Sequence, residues 1–130
     1  MPSSCLGSLR ILAVDNEPDQ VDILCRLLTL YGHKAAALKE PSRTLATASQ
    51  FRPDVILLDT VMPHQDGNEI ARILRSDPAM DSVIIIAISG HCRESDRVEA
   101  LASGADGFLP KPFTVDQLHQ VIAEARTVRV

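Results

Sequence analysis

Cysteine is scarce in this 130-residue chain: Cys5, Cys25 and Cys92 are odd in number and far apart, which suits neither a disulfide framework nor a zinc site. A reducing compartment, and so a cytoplasmic protein, is the simple expectation. Long apolar runs are also missing. No stretch approaches the roughly 20 residues needed to span a bilayer, so no membrane partner is expected. Residues Met1 to Ser8 lack the charged start and apolar core of a signal peptide. Nor is there an excess of positive charge. Thirteen basic against 17 acidic residues leave a net charge of -4, which argues against direct binding of nucleic acid through its phosphates. No repeat, low-complexity tract or charge block marks a linker, and no glycine-rich loop follows the first apolar run, which disfavours a nucleotide-binding domain.

What the chain does have is 45% hydrophobic residues in one domain's worth of length. The expected division is an N-terminal extension over 1–9 and a single domain over 10–127. Apolar runs alternate with amphipathic stretches, the pattern of a parallel sheet with helices on both faces. Strands are predicted over Arg10 to Val14, Lys34 to Leu38, Val55 to Leu58, Val83 to Ile88 and Gly107 to Leu109. Helices are predicted from Pro18 to Tyr31 with Gly32 as the stop, and over Ser42 to Ser49, Asn68 to Ser76, Arg93 to Ser103 and Val115 to Arg126. The fold class is therefore α/β: a doubly wound, five-stranded parallel sheet of order 2-1-3-4-5.

In such sheets chemistry gathers past the carboxyl ends of the strands. Asp59 ends the run Val55-Ile56-Leu57-Leu58, and Asp15, Ser89 and Lys111 follow three other runs. These positions should converge. Carboxylates crowded at one edge repel one another, and a hard divalent cation such as Mg²⁺ relieves that, so Asp15, Glu17 and Asp59 form a candidate metal set. Capping of the Pro18 helix explains Asp15 and Glu17 equally well. Asp59 is either a turn-forming Asx residue or a nucleophile towards phosphorus, and a carboxylate ending a buried run costs energy unless it is paired or coordinated. Lys111, held between Pro110 and Pro112 with a cis bond expected at Lys111-Pro112, is either a solvated loop lysine or the fixed cation such chemistry needs. Ser89 either caps the next helix or offers a hydroxyl to a phosphoryl oxygen. The histidines His33, His64, His91 and His119 show no ligand spacing and are read as surface residues.

Taken together, Ile11-Leu12-Ala13-Val14-Asp15, Leu57-Leu58-Asp59-Thr60-Val61-Met62-Pro63-His64-Gln65-Asp66-Gly67, Ala87-Ile88-Ser89-Gly90 and Gly104-Ala105-Asp106-Gly107-Phe108-Leu109-Pro110-Lys111-Pro112-Phe113 resemble a response-regulator receiver domain of two-component signalling. The resemblance covers nearly the whole chain and implies a flavodoxin-like, chemotaxis-regulator-like fold. It implies Asp59 as phosphoacceptor; Ser89, Lys111 and Thr60 as phosphoryl-binding residues; and Asp15, Asn16, Asp59 and the Val61 backbone as Mg²⁺ ligands, with Glu17 a further candidate. A histidine kinase or phosphotransfer protein would supply the phosphoryl group. Ser89 and Phe108 would act as the switch, changing the face of the fourth helix, fifth strand and fifth helix, where Arg93, Arg97, Gln117 and His119 would meet a downstream protein target. Such a domain assists its own phosphorylation and dephosphorylation without being an enzyme in the ordinary sense.

The chain departs from the family at Asn16, where a second acidic residue is usual. An amide oxygen still ligates Mg²⁺ but removes one negative charge, so weaker metal binding is expected. The alternative reading is a non-phosphorylated pseudo-receiver acting as a docking module. A haloacid-dehalogenase-like phosphatase is disfavoured, because Val61 stands where that chemistry needs a second aspartate.

Overall fold

Three central runs bury residues on both faces and pair side by side, with a less buried run at each edge, as parallel strands covered by helices do. The computed structural model describes residues 7–62, 65–91 and 93–129. Cys5, Cys92, Pro63, His64 and the first six residues of the expected extension lie outside the described residues. The sheet strands are β1 (Arg10–Val14), β2 (Lys34–Leu38), β3 (Val55–Asp59), β6 (Ile84–Ser89) and β7 (Gly107–Pro110). Between β3 and β6 lies a short antiparallel ribbon, β4 (Val61–Met62) with β5 (Gln65–Asp66). The sheet runs β2-β1-β3-β6-β7, which is the predicted 2-1-3-4-5 once the ribbon is set aside. Among the described residues the ribbon is the strand pairing that the sequence pattern does not reveal, since two residues a side are too short to show a period.

Register places the strand ends level. Val14 pairs with Leu58, Asp59 with Ile88 and Ser89 with Pro110, so the segments after β1, β3, β6 and β7 leave the sheet along one edge. Helices α1 (Pro18–Leu30), α2 (Thr44–Phe51), α3 (Gly67–Arg75), α4 (Glu94–Ala102) and α5 (Val115–Arg129) complete the fold. Alternate strand residues face opposite ways. Ile11, Ala13, Leu57 and Ile86 pack with Val21 and Leu28 of α1 and Leu118 and Ile122 of α5. Leu12, Val14, Ile56 and Ile85 pack with Ala48, Ile70, Leu74 and Ala100 of α2, α3 and α4.

Helix ends shift from the predicted ones for local reasons. The predicted start of α2 at Ser42 falls in a 3₁₀ turn, Pro41–Arg43, whose Pro41 carbonyl accepts from the Thr44 hydroxyl at 2.6 Å. The helix ends at Phe51, and Arg52 after it is left-handed at φ 57, closing the last turn ahead of Pro53. Two histidines overturn the surface reading. His33 is buried, and its Nε2 lies 2.8 Å from Nε2 of half-buried His119. His119 therefore packs towards the start of β2 and not on the face proposed for partners, whereas His91 is exposed.

Candidate functional site

Asp59 is the last residue of β3 and is almost fully buried. Its Oδ1 accepts the Val61 N–H at 2.9 Å, and its Oδ2 faces Lys111 Nζ at 3.2 Å. The Asx-turn reading is thus realised by one oxygen while the other addresses a cation. Asp15 sits level with it after β1, accepting the Glu17 N–H at 2.9 Å through Oδ1 and facing the same Lys111 Nζ at 3.6 Å through Oδ2. One ammonium reaches both carboxylates. Lys111 is therefore not a freely solvated loop lysine; the cis Lys111–Pro112 bond and the Lys111 N–H to Ser89 carbonyl bond, 2.8 Å, set its backbone.

The electrostatics follow from this crowding. Burial pushes the Asp59 carboxyl above its ordinary value, opposed by the Val61 N–H and the Lys111 ammonium, while the neighbouring Asp15 adds to the rise. Ser89 is buried at the end of β6, and its hydroxyl oxygen accepts the His91 N–H at 2.9 Å. It does not cap α4, whose first turn is closed by Asp96 reaching back to the Arg93 N–H at 3.3 Å. Thr60 is half-buried, its N–H donating to the Ile88 carbonyl at 2.9 Å. Val61 is exposed.

Not every candidate joins the cluster. Asn16 is half-buried beside Asp15, whereas Glu17 is exposed and contributes its backbone N–H to Asp15. Among the described residues no three His, Cys, Asp or Glu side chains gather as a metal group; two carboxylates converge, and Glu17 stays outside. Phe108 on β7 is half-buried against the cluster shared by α2, α3 and α4. A cleft of ≈ 340 Å³, lined by α1 residues including Val21 and Leu24, opens onto Asp15, Asp59 and Lys111.

Sequence reasoning passed over the role of Gly67. A Cβ there would lie 2.3 Å from the Asp59 carbonyl oxygen and 2.7 Å from the Thr60 Cα, so only glycine lets α3 start against the end of β3. Gly67→Ala is expected to cost about 1–3 kcal/mol through forced backbone shift and to displace Asp59. A urea melt and the amide shifts of Asp59 to Val61 check this; a variant with both unchanged would refute the close-packing account. The signal available in the sequence was Asp66-Gly67, where Asp66 Oδ1 accepts the Asn68 N–H at 2.9 Å as the N-cap of α3.

This constellation of sheet, carboxylates and lysine has relatives. The response regulator receiver domain family matches residues 11–123. The chain belongs to that family. The receiver is 36% identical over 110 residues to the response regulator MprA of Mycobacterium leprae, covering 85% of this chain and 47% of that protein. MprA of Mycobacterium bovis matches at 36% over 111 residues. The chain thus spans about half the length of the curated relatives it matches. Among solved structures it resembles the chemotaxis protein CheY4 of Vibrio cholerae, at TM-score 0.83 and 25% identity over 92% of this chain and 99% of that one. It also resembles the signal receiver domain of a DNA-binding response regulator of Colwellia psychrerythraea, at TM-score 0.80 and 25% identity over 91% and 98% of the two chains. Among the described residues of this receiver no helix is long and apolar enough to cross a membrane.

Proposed function

We propose that this receiver accepts a phosphoryl group on Asp59 from a histidine kinase or phosphotransfer protein and thereby alters its binding to a downstream protein. The observation that carries this reading is the shared Lys111 ammonium between the Asp59 and Asp15 carboxylates. In the transfer a carboxylate oxygen of Asp59 attacks phosphorus, the bond from phosphorus to the donor imidazole nitrogen breaks, and the imidazole leaves with the electron pair. Lys111 holds its charge beside the arriving phosphoryl oxygens, and the Ser89 hydroxyl offers a hydrogen bond to them, while the Thr60 backbone, tied through its N–H to the Ile88 carbonyl, frames the site. The domain assists its own phosphorylation and dephosphorylation and has no separate substrate to turn over. The docking-module alternative gains no support from a site in which Asp59, Asp15 and Lys111 are gathered.

Mg²⁺ fits the donors present: they are all oxygens, and a single cation already reaches both carboxylates. Asp15, Asp59, the Asn16 amide and the Val61 backbone carbonyl would hold it, with exposed Glu17 as a further candidate. When bound it supplies positive charge that screens the incoming phosphoryl group. Because Asn16 removes one charge, Asn16→Asp is expected to tighten Mg²⁺ binding roughly tenfold, the worth of about 1.4 kcal/mol for one added charge at contact distance. Titration calorimetry with Mg²⁺ tests this; equal affinity in the two proteins would remove Asn16 from the ligand set.

The switch in this reading joins Ser89 to Phe108. The responding surface is formed by α4, β7 and α5, where Arg93, Arg97 and Gln117 are exposed and a groove of ≈ 260 Å³ runs beside Phe108 and Val121. Phosphorylation adds charge of about -1.5 to -2 and shifts a conformation already populated. The setting is cytoplasmic, and the downstream contact is with protein; DNA binding belongs to the Colwellia regulator's own description. An amide NMR titration with beryllofluoride and Mg²⁺ tests the whole reading. Saturable shifts at Asp59, Ser89, Phe108 and Lys111 are expected, and a flat titration at saturating Mg²⁺ would overturn it.

A further inference from the structure

At the edge opposite the phosphoryl site, two histidines from distant parts of the chain meet. His33 precedes β2 and His119 lies on α5, with their Nε2 atoms 2.8 Å apart and their rings edge to face at 82°. His33 Nδ1 accepts the Leu9 backbone N–H at 3.1 Å, and the Leu9 carbonyl in turn accepts the Lys34 N–H at 2.8 Å. The chain just before β1, the start of β2 and α5 are therefore tied together through one imidazole.

The hydrogen bonds assign the protons. A backbone N–H is always a donor, so His33 Nδ1 must carry a lone pair, and the neutral ring then bears its proton on Nε2. His119 Nε2 must accept that proton, which leaves its own proton on Nδ1. There is no room for another. A second proton on His33 sets two donors against each other at Leu9. A second proton on His119 either opposes the His33 N–H or drives His33 into the tautomer that opposes Leu9. Every singly charged form loses one bond.

We propose that His33 and His119 form a proton-sensitive latch that is closed when both rings are neutral and that opens when the pair takes up one proton, freeing the Leu9 N–H and α5. The groups facing the pair are Leu9 from the chain just before β1, Tyr31 from the end of α1, whose ring meets His119 edge-on at 5.8 Å, and each other. Among the described residues no carboxylate or ammonium bonds to either ring, and Lys34 and Asp116, the charged neighbours along β2 and α5, are exposed. Among the described residues no charged side chain pairs with an imidazolium here. Burial, and then His119, hold His33 below its ordinary value of 6.5. A histidine depressed in the folded state leaves the unfolded chain binding more protons, so the latch's contribution is complete above 6.5 and is lost as pH falls below it.

The latch holds whether or not Asp59 is phosphorylated, and its test reads no phosphorylation. The experiment is long-range ¹⁵N–¹H correlation of the histidine rings in the full chain through an acid titration, with urea unfolding over the same range. The expected pattern is His33 as the Nε2–H form, His119 as the Nδ1–H form, and a common midpoint below 6.5 for the His33 ring and the Leu9 amide. The unfolding constant should rise by up to about tenfold per pH unit in that window, as uptake of one proton requires. His33→Asn keeps an acceptor for Leu9 but does not titrate, so the His33-dependent slope should vanish. A His33 protonated on Nδ1, a His33 midpoint at or above 6.5, or a Leu9 amide that does not follow the ring would each overturn the latch.

Discussion

Asp59→Asn is expected to abolish phosphoryl uptake and, at the same time, to raise the urea midpoint of the metal-free protein at neutral pH. The first effect follows because an amide is not a nucleophile towards phosphorus. The second follows from burial. The Asp59 carboxyl is held above its ordinary 3.8, first by desolvation, so its ionised form destabilises the folded state relative to the unfolded chain. That penalty is present at neutral pH and disappears as pH falls through the raised value towards 3.8, where the folded state keeps its proton longer than the unfolded one does. Asparagine removes the penalty and leaves Asp15 as a single carboxylate opposite Lys111. Intact mass after incubation with acetyl phosphate reads the first effect and denaturant melts the second. Loss of uptake with a lowered midpoint would mean that the Lys111 contact outweighs desolvation.

Arg75→Met is expected to cost about 2–3 kcal/mol, below the range for a fully buried pair because some solvent reaches both partners. Arg75 Nε donates to the Gly104 carbonyl at 2.9 Å, Nη1 donates to the Met80 carbonyl at 2.9 Å, and Nη2 pairs with Asp106. Asp106 Oδ2 also accepts the Ile85 N–H at 2.9 Å. Three segments thus hang on one guanidinium: the turn after α3, the start of β6 and the loop into β7. Gly104, at φ +116, leaves room for the arginine stem, since a Cβ there would lie 2.5 Å from Arg75 Cγ. Truncation strands the Gly104 carbonyl and takes the guanidinium from the Asp106 carboxylate, while the Met80 carbonyl keeps the Val83 N–H at 3.1 Å. In a double-mutant cycle Asp106→Asn should recover part of the loss, because the stranded charge goes with it. An Arg75→Met variant that melts with the parent would show the clamp to be ornamental.

The sheet was legible because β1, β3 and β6 are near-continuous apolar runs, and a carboxylate closing such a run, as Asp59 does, has few innocent explanations. Asp15 and Lys111 were legible for the same reason: topology alone brings strand ends together. Glu17 was a fair candidate by charge, but the turn at Asp15 uses its backbone N–H and leaves the side chain exposed. Contacts between helices and loops left no period to read. Arg75 meets Asp106 across 31 positions, and His33 meets His119 across 86. Each side chain looks ordinary in its own segment; only the packed fold shows that the pairs replace solvent with each other.

Neighbouring residues within one strand belong to different halves of the molecule. Ile11 and Leu12 are adjacent, yet one touches the layer of α1 and α5 and the other the layer of α2, α3 and α4. The sheet is a partition. A cavity opened beneath α3 must bend strand backbone before α1 feels it, whereas a cavity beneath α5 is felt there directly. Sequence drift in either layer can proceed against an unchanged opposite layer, and a probe on α1 and one on α4 would register separate histories of the same domain.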